Sequence, residues 1–230
     1  MSYAELKDQA FEANMELKRR GLVLYTWGNV SQIDRDRGVF AIKPSGVPYE
    51  NLTAADMVVV DLENRTVEGK LKPSSDTRTH THLYLNFTSI GGITHTHSTY
   101  ATAWAQAQQA IPCFGTTHAD YAYGAIPCTA VMSDEQIDRD YEEETGVQIT
   151  EAFENRNPLE TPMVVVAGHA PFTWGKDAAE AVHNAVVLEE IARMAILTKT
   201  IDPSTRPLKQ EIVDKHYLRK HGKDAYYGQN

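Results

Sequence analysis

The chain is poor in cysteine and in basic residues, and it has no long apolar run. Its 230 residues include two cysteines, Cys113 and Cys128, too few for a disulfide framework and without the Cys-x-x-Cys spacing of a structural zinc clip. Both read as reduced thiols. Lys and Arg number 22 against 31 Asp and Glu, for a net charge of −9. Such a surface does not displace counterions from nucleic acid or from an anionic bilayer, so neither is expected as a partner. A single phosphate stays compatible, because a few backbone N–H groups and one lysine hold it locally. No apolar stretch approaches the roughly 18 residues of a membrane span. The N-terminal segment has helical amphipathicity rather than the apolar core and small-residue cleavage site of a signal peptide. No Gly-rich dinucleotide loop is present, so no NAD is expected. These absences point to a cytoplasmic protein that acts on a small molecule.

What is there reads as one compact domain over 1–230. Ser2 and Glu5 form a capping box; Leu6, Ala10, Ala13 and Leu17 follow at helical spacing, and Gly21 is placed to stop the helix. Short apolar or β-branched runs predict strands over 39–42, 57–62, 90–97 and 163–167. Helices are expected over 76–87, 98–108, 133–155, 177–200 and 208–220. Strands and helices do not alternate steadily, which favours an α/β fold with a mixed sheet covered by helices over a parallel doubly wound one.

Chemistry concentrates at the strand ends. In Gly91-Gly92-Ile93-Thr94-His95-Thr96-His97 two histidines two apart on a strand share a face, the geometry of a metal site, although a His-x-His pair alone also suits a polar strand end. His169 closes the run Val164-Val165-Val166-Ala167-Gly168 beside a glycine that permits close approach. Three imidazoles leave room for substrate on a catalytic ion. Pro73-Ser74-Ser75-Asp76-Thr77 reads as a turn into a helix capped by Ser75 or Asp76, with free N–H groups available to an anion. Lys43-Pro44-Ser45-Gly46 and Trp27-Gly28-Asn29 read equally well as plain turns.

Taken in order, Trp27-Gly28-Asn29-Val30-Ser31, Lys43-Pro44-Ser45-Gly46, Pro73-Ser74-Ser75-Asp76, His95-Thr96-His97, Gly115-Thr116-Thr117-His118-Ala119-Asp120-Tyr121 and the closing Asp214-Lys215-His216-Tyr217-Leu218-Arg219-Lys220-His221-Gly222 resemble the epimerase branch of the class II aldolase/adducin family. The resemblance extends over nearly the whole chain and includes the Tyr226-Tyr227-Gly228-Gln229 end. It implies a three-layer α/β/α fold with a central mixed, mainly antiparallel sheet. It also implies one divalent ion, zinc or else manganese or cobalt, on His95, His97 and His169 with Asp76 joining or supporting them. Phosphate and substrate contacts fall on Gly28, Asn29, Ser45, Gly46, Ser74 and Ser75, with Lys43, Thr116 and His216 as further contacts. Asp120 and Tyr227 are implied as the acid/base pair, supplied by a neighbouring subunit of a homotetramer, with the helix and tail 208–230 closing over the shared site. Ala170 departs from the glycine usual after the histidine, and its methyl is tolerated unless the backbone there needs positive φ.

The implied reaction is conversion of L-ribulose 5-phosphate to D-xylulose 5-phosphate. The C4 hydrogen is not α to the C2 carbonyl, so enolisation cannot remove it; breaking and remaking C3–C4 can. The related aldolases carry glutamate where Asp76 stands, which favours epimerase over an aldolase that releases dihydroxyacetone phosphate and an aldehyde. A non-catalytic adducin-like interaction module is the reading from another class, and retention of all three histidines argues against it.

Overall fold

A computed structural model describes residues 1–223 and 225–226. Seven strands, β1 (Asn29–Asp34), β2 (Val39–Ile42), β3 (Val58–Asp61), β4 (Thr66–Glu68), β5 (Gly92–His95), β6 (Met163–Val165) and β7 (Pro171–Gly175), form one sheet in the order β4-β3-β2-β1-β5-β7-β6. The helices are α1 (Tyr3–Arg19), α2 (Thr77–Asn86), α3 (Thr99–Gln106), α4 (Thr116–Ala119), α5 (Asp134–Asp138), α6 (Tyr141–Ala152), α7 (Ala178–Ile201) and α8 (Gln210–His221).

The three layers follow from alternation along strands that are apolar on both faces. Val39 and Ala41 pack with Leu6, Ala10, Leu17 and Val182 of α1 and α7. Their neighbours Phe40 and Ile42 pack with Leu83 and Tyr84 of α2 and Ile149 of α6. The expected three-layer fold is therefore present. All six strand pairings are antiparallel, so the parallel component expected of the sheet shrinks to one isolated bridge, Cys128 to Val165. The physical reason is connectivity: β1 to β4 are consecutive hairpins, α2 crosses one face to deliver β5 on the far side of β1, and β6–β7 is another hairpin.

Two further differences have local causes. The helix expected over 133–155 is broken into α5 and α6 at Arg139, whose ψ is −105°, because Asp140 leaves the helix to cap the next one, its carboxylate accepting from the Glu143 N–H at 3.1 Å. The strand β1 escapes hydrophobic patterning because Ser31, Gln32 and Asp34 are polar yet buried. The amide of Asn14, on α1, ties down both the N–H and the C=O of Val30 at 2.9 Å. Gln32 accepts from the Ala178 N–H that starts α7 at 2.7 Å. Among the described residues no helix is long and apolar enough to cross a membrane.

Candidate metal centre

His95 is the last residue of β5, directly opposite Asn29 on one side and Phe172 on the other. Its Nδ1 lies 3.0 Å from the carbonyl oxygen of Pro171. A carbonyl only accepts, so Nδ1 carries the proton and Nε2 presents its lone pair outward. The Phe172 ring, stacked at 4.2 Å between centroids, fixes the plane of the imidazole. The strand ends at His95, so pleat alternation does not carry His97. The chain leaving the sheet nevertheless turns its ring back until Nε2 stands 3.2 Å from Nε2 of His95. His169 comes from the turn joining β6 to β7, where Gly168 adopts φ +73° and the His169 N–H bonds the Val166 carbonyl at 3.0 Å. Ala170 is fully buried and is not among the residues at positive φ, so its methyl is accommodated.

One nitrogen from each of the three rings lies within 4.8 Å of the others. Two nitrogens bound to a tetrahedral zinc at ordinary Zn–N lengths stand about 3.3 Å apart, close to the observed 3.2 Å. Burial, and then the neighbouring His95 and His97, push His169 down to about 4, and burial likewise lowers His97. Both shifts favour the neutral ring, which keeps a lone pair free on His97 and on His169. Nδ1 of His169 is buried with no hydrogen-bond partner among the described residues. The donor set fits a divalent ion.

Asp76 stands beside the triad. It occupies the cap position of α2 but makes no cap bond. Its carboxylate instead accepts from the Asn29 amide at 2.6 Å. Burial works to raise its pKa, yet His95, His80, the Asn29 amide and His169 outweigh burial and hold it below the usual carboxylate range.

The triad and Asp76 open into a cavity of about 610 Å³ that is also lined by Gly28, Asn29, Lys43, Ser45, Gly46, Ser74 and Ser75. Two of the loops that line it are laced together, Ser45 N–H to the Lys72 carbonyl and Ser74 N–H to the Lys43 carbonyl, both at 3.0 Å. Gly28 is needed twice over: it has φ +77°, and a Cβ there would lie 2.8 Å from the His95 carbonyl oxygen. Lys43 is 1 % exposed. Its ammonium donates to the Thr26 and Pro44 carbonyls at 3.3 and 3.5 Å and lies over the face of Tyr49 at 4.8 Å, and burial lowers it to about 8. Among the described residues no carboxylate pairs with it.

Thr116, Asp120 and His216 lie outside this cavity. Thr116 begins α4, and Asp120 follows at its end. The Asp120 carboxylate accepts from Arg219 at 2.9 and 3.0 Å and faces His216 Nδ1 at 3.1 Å, with Lys220 at 3.7 Å. Burial alone would raise this carboxyl, but Arg219 and His216 hold it low. Tyr227 lies outside the described residues. Among the cavity residues that escaped sequence reasoning are Tyr141 and Glu142. They open α6, and only recognition of Asp140 as a second helix cap would have exposed them.

The sheet order and the helix layers define a class II aldolase-type fold. Over 95 % of this chain and 97 % of the other, the structure superposes on an L-fuculose 1-phosphate aldolase with a TM-score of 0.83 at 24 % identity, and on a putative aldolase/epimerase/decarboxylase, YgbL of Klebsiella pneumoniae, with a TM-score of 0.72 over 94 % and 99 %. Residues 8–196 match the class II aldolase and adducin N-terminal domain, and the chain belongs to that family. It is 57 % identical, over 98 % of its length and 99 % of theirs, to proteins named L-ribulose-5-phosphate 4-epimerase UlaF from Salmonella paratyphi B and Salmonella paratyphi A.

Proposed function

We propose that the protein is a metal-dependent epimerase that interconverts L-ribulose 5-phosphate and D-xylulose 5-phosphate. The observation that carries this reading is one cavity lined by three clustered imidazoles, a buried lysine and two serine-bearing loops. An electron-rich centre for a cation and an anion seat thus share one space, as a phosphorylated ketose requires. The near-full-length likeness to L-ribulose-5-phosphate 4-epimerases supports the same substrate.

Loss of the C4 hydroxyl proton forms the C4 carbonyl as the C3–C4 electron pair moves onto the three-carbon unit. The products are the enediolate of dihydroxyacetone and glycolaldehyde phosphate. The phosphate sits on C5, so it stays with the two-carbon aldehyde, which must rotate and present its other face before the bond is remade. A divalent ion on His95, His97 and His169 would supply Lewis-acid stabilisation of the negative charge that develops on the three-carbon unit. An all-imidazole set suits zinc, with manganese or cobalt accepted. Lys43, Asn29, Ser45, Gly46, Ser74 and Ser75 hold the phosphate so that the aldehyde pivots without escaping. Asp76, ionised and tethered to Asn29, couples that anion seat to the triad.

The acid/base pair is assigned to Asp120 and Tyr227 of a neighbouring subunit in a cytoplasmic homotetramer, with Thr116 and His216 as further substrate contacts. Arg219 and His216 hold the Asp120 carboxyl below the usual carboxylate range, so it stands ionised, and the two groups would serve opposite faces of the rotating aldehyde. Incubation with L-ribulose 5-phosphate, with and without chelator, is the direct test: D-xylulose 5-phosphate should form only in the metal-replete protein. Sustained release of free dihydroxyacetone and glycolaldehyde phosphate would instead mark an aldolase.

A further inference from the structure

Each imidazole of the triad has its own aromatic neighbour. Phe172 lies beneath His95 at 4.2 Å and is fully buried. Trp27 stands beside His97 at 6.2 Å, and Tyr141 beside His169 at 5.9 Å. Trp27 and Tyr141 are half or nearly half exposed and face the cavity, so they are its two aromatic walls.

We propose that Tyr141 is a specificity-determining residue, its phenol closing the end of the cavity remote from the phosphate seat and hydrogen-bonding the C1 hydroxyl of the ketose. The proposal rests on the functional reading above. Direction follows from the sheet. Lys43 extends β2, whereas His169 precedes β7, and β1 and β5 lie between them. Three strand spacings separate the two ends, roughly 14 Å. With the C5 phosphate at the Lys43 end and the reacting carbons at the triad, C1 is the part of the substrate that continues toward His169 and meets Tyr141.

The main chain that carries the phenol is tied down on both sides. Tyr141 is the first residue of α6, whose cap Asp140 is paired with Arg78 on α2. The Thr79 hydroxyl, also on α2, donates to the Glu142 carbonyl at 2.5 Å, and the Thr145 hydroxyl donates to the Tyr141 carbonyl at 2.7 Å. Since Asp76 caps α2, the helix that starts at the carboxylate beside the triad also positions Tyr141. A site that hydrogen-bonds a substrate hydroxyl disfavours the analogue that lacks it.

The test compares D-xylulose 5-phosphate with 1-deoxy-D-xylulose 5-phosphate, which differ only in that hydroxyl, in the wild-type protein and in Tyr141→Phe, which keeps the ring against His169. Wild type should prefer the hydroxylated substrate by about ten-fold in kcat/KM, the effect of one hydrogen bond, and Tyr141→Phe should bring the ratio close to one. The d–d spectrum of cobalt-loaded protein should be the same in both. A ratio near one in wild type, or an unchanged ratio in the variant, overturns the proposal. Absence of any turnover of D-xylulose 5-phosphate by wild type overturns the functional reading instead. In that event the same two compounds are titrated into cobalt-loaded wild type, and equal affinity for them overturns the C1 contact on its own.

Discussion

The metal cavity and the Asp120 cluster are built in opposite ways. The triad hangs on the end of β5 and the β6–β7 turn, its His95 ring set by the Pro171 carbonyl and a stacked phenylalanine. Asp120 instead terminates a four-residue helix and is held by side chains of α8, over a small apolar contact of Cys113, Ala119 and Val213. Main-chain geometry inside a sheet is fixed once the core forms. The Asp120 cluster depends instead on side-chain ion pairs between a short helix and α8. On the proposed assignment the metal cavity is the half built into the sheet, and the Asp120 cluster is the half offered to a second copy.

The largest effect should come from the metal half. His97→Asn removes a ring whose Nε2 faces that of His95, and metal content and turnover should both be lost, the latter by at least a hundred-fold. Tyr227→Phe should lower kcat by about 10²–10⁴, the range of one general acid–base group, while metal content by elemental analysis stays at the wild-type level. Equal metal loss in the two variants would erase the distinction between the halves.

Lys43 sharpens the comparison within the metal half, where function and stability oppose each other. Burial lowers its pKa from the ordinary 10.5 to about 8. Between those values the unfolded chain binds more protons than the folded one, so this lysine makes stability rise with pH across that window. Below about 8 the buried charge carries its full penalty, on the order of 3 kcal/mol at about 1.4 kcal/mol per pKa unit. Lys43→Met should therefore raise the denaturation midpoint at pH 7 yet raise KM by about ten- to a hundred-fold, as loss of a charged hydrogen-bond partner does. In wild type, KM should climb as pH passes 8. A Met variant that is both weaker-binding and less stable at pH 7 would mean that Lys43 is chiefly a structural cation over Tyr49.

The two halves also differed in how far the sequence disclosed them. His95, His97 and His169 were legible because a strand end, a short spacing and an adjacent glycine are local signals. β1 was not, because its buried polar residues are satisfied from other elements: Ser31 bonds His80 and Tyr84 of α2 at 2.7 Å, and no pattern within six residues encodes partners about 50 positions away. Asp120 stood out only through resemblance, since Arg219 reaches it from 99 residues on. Tyr141 was hidden for a subtler reason. The acidic run 142–144 continues the helical pattern begun at Ser133, so the break that aims Tyr141 into the cavity is invisible until Asp140 is seen pairing with Arg78.

That break gives the smallest effect and the finest test. Asp140→Ala removes the α6 cap, worth about 1 kcal/mol, while its pairing with the half-exposed Arg78 adds little. For a chain of this size the loss lowers Tm by about 2–4 °C. Metal affinity should not change, because none of the three imidazoles is carried by α6. kcat/KM should fall only a few-fold, through a looser Tyr141, and Arg78→Ala should reproduce a fraction of that fall. The decisive measurement is cobalt affinity in Asp140→Ala beside Tm. If affinity drops in step with stability, the triad depends on the α2–α6 layer as much as on the sheet, and the metal half is larger than the strand ends alone.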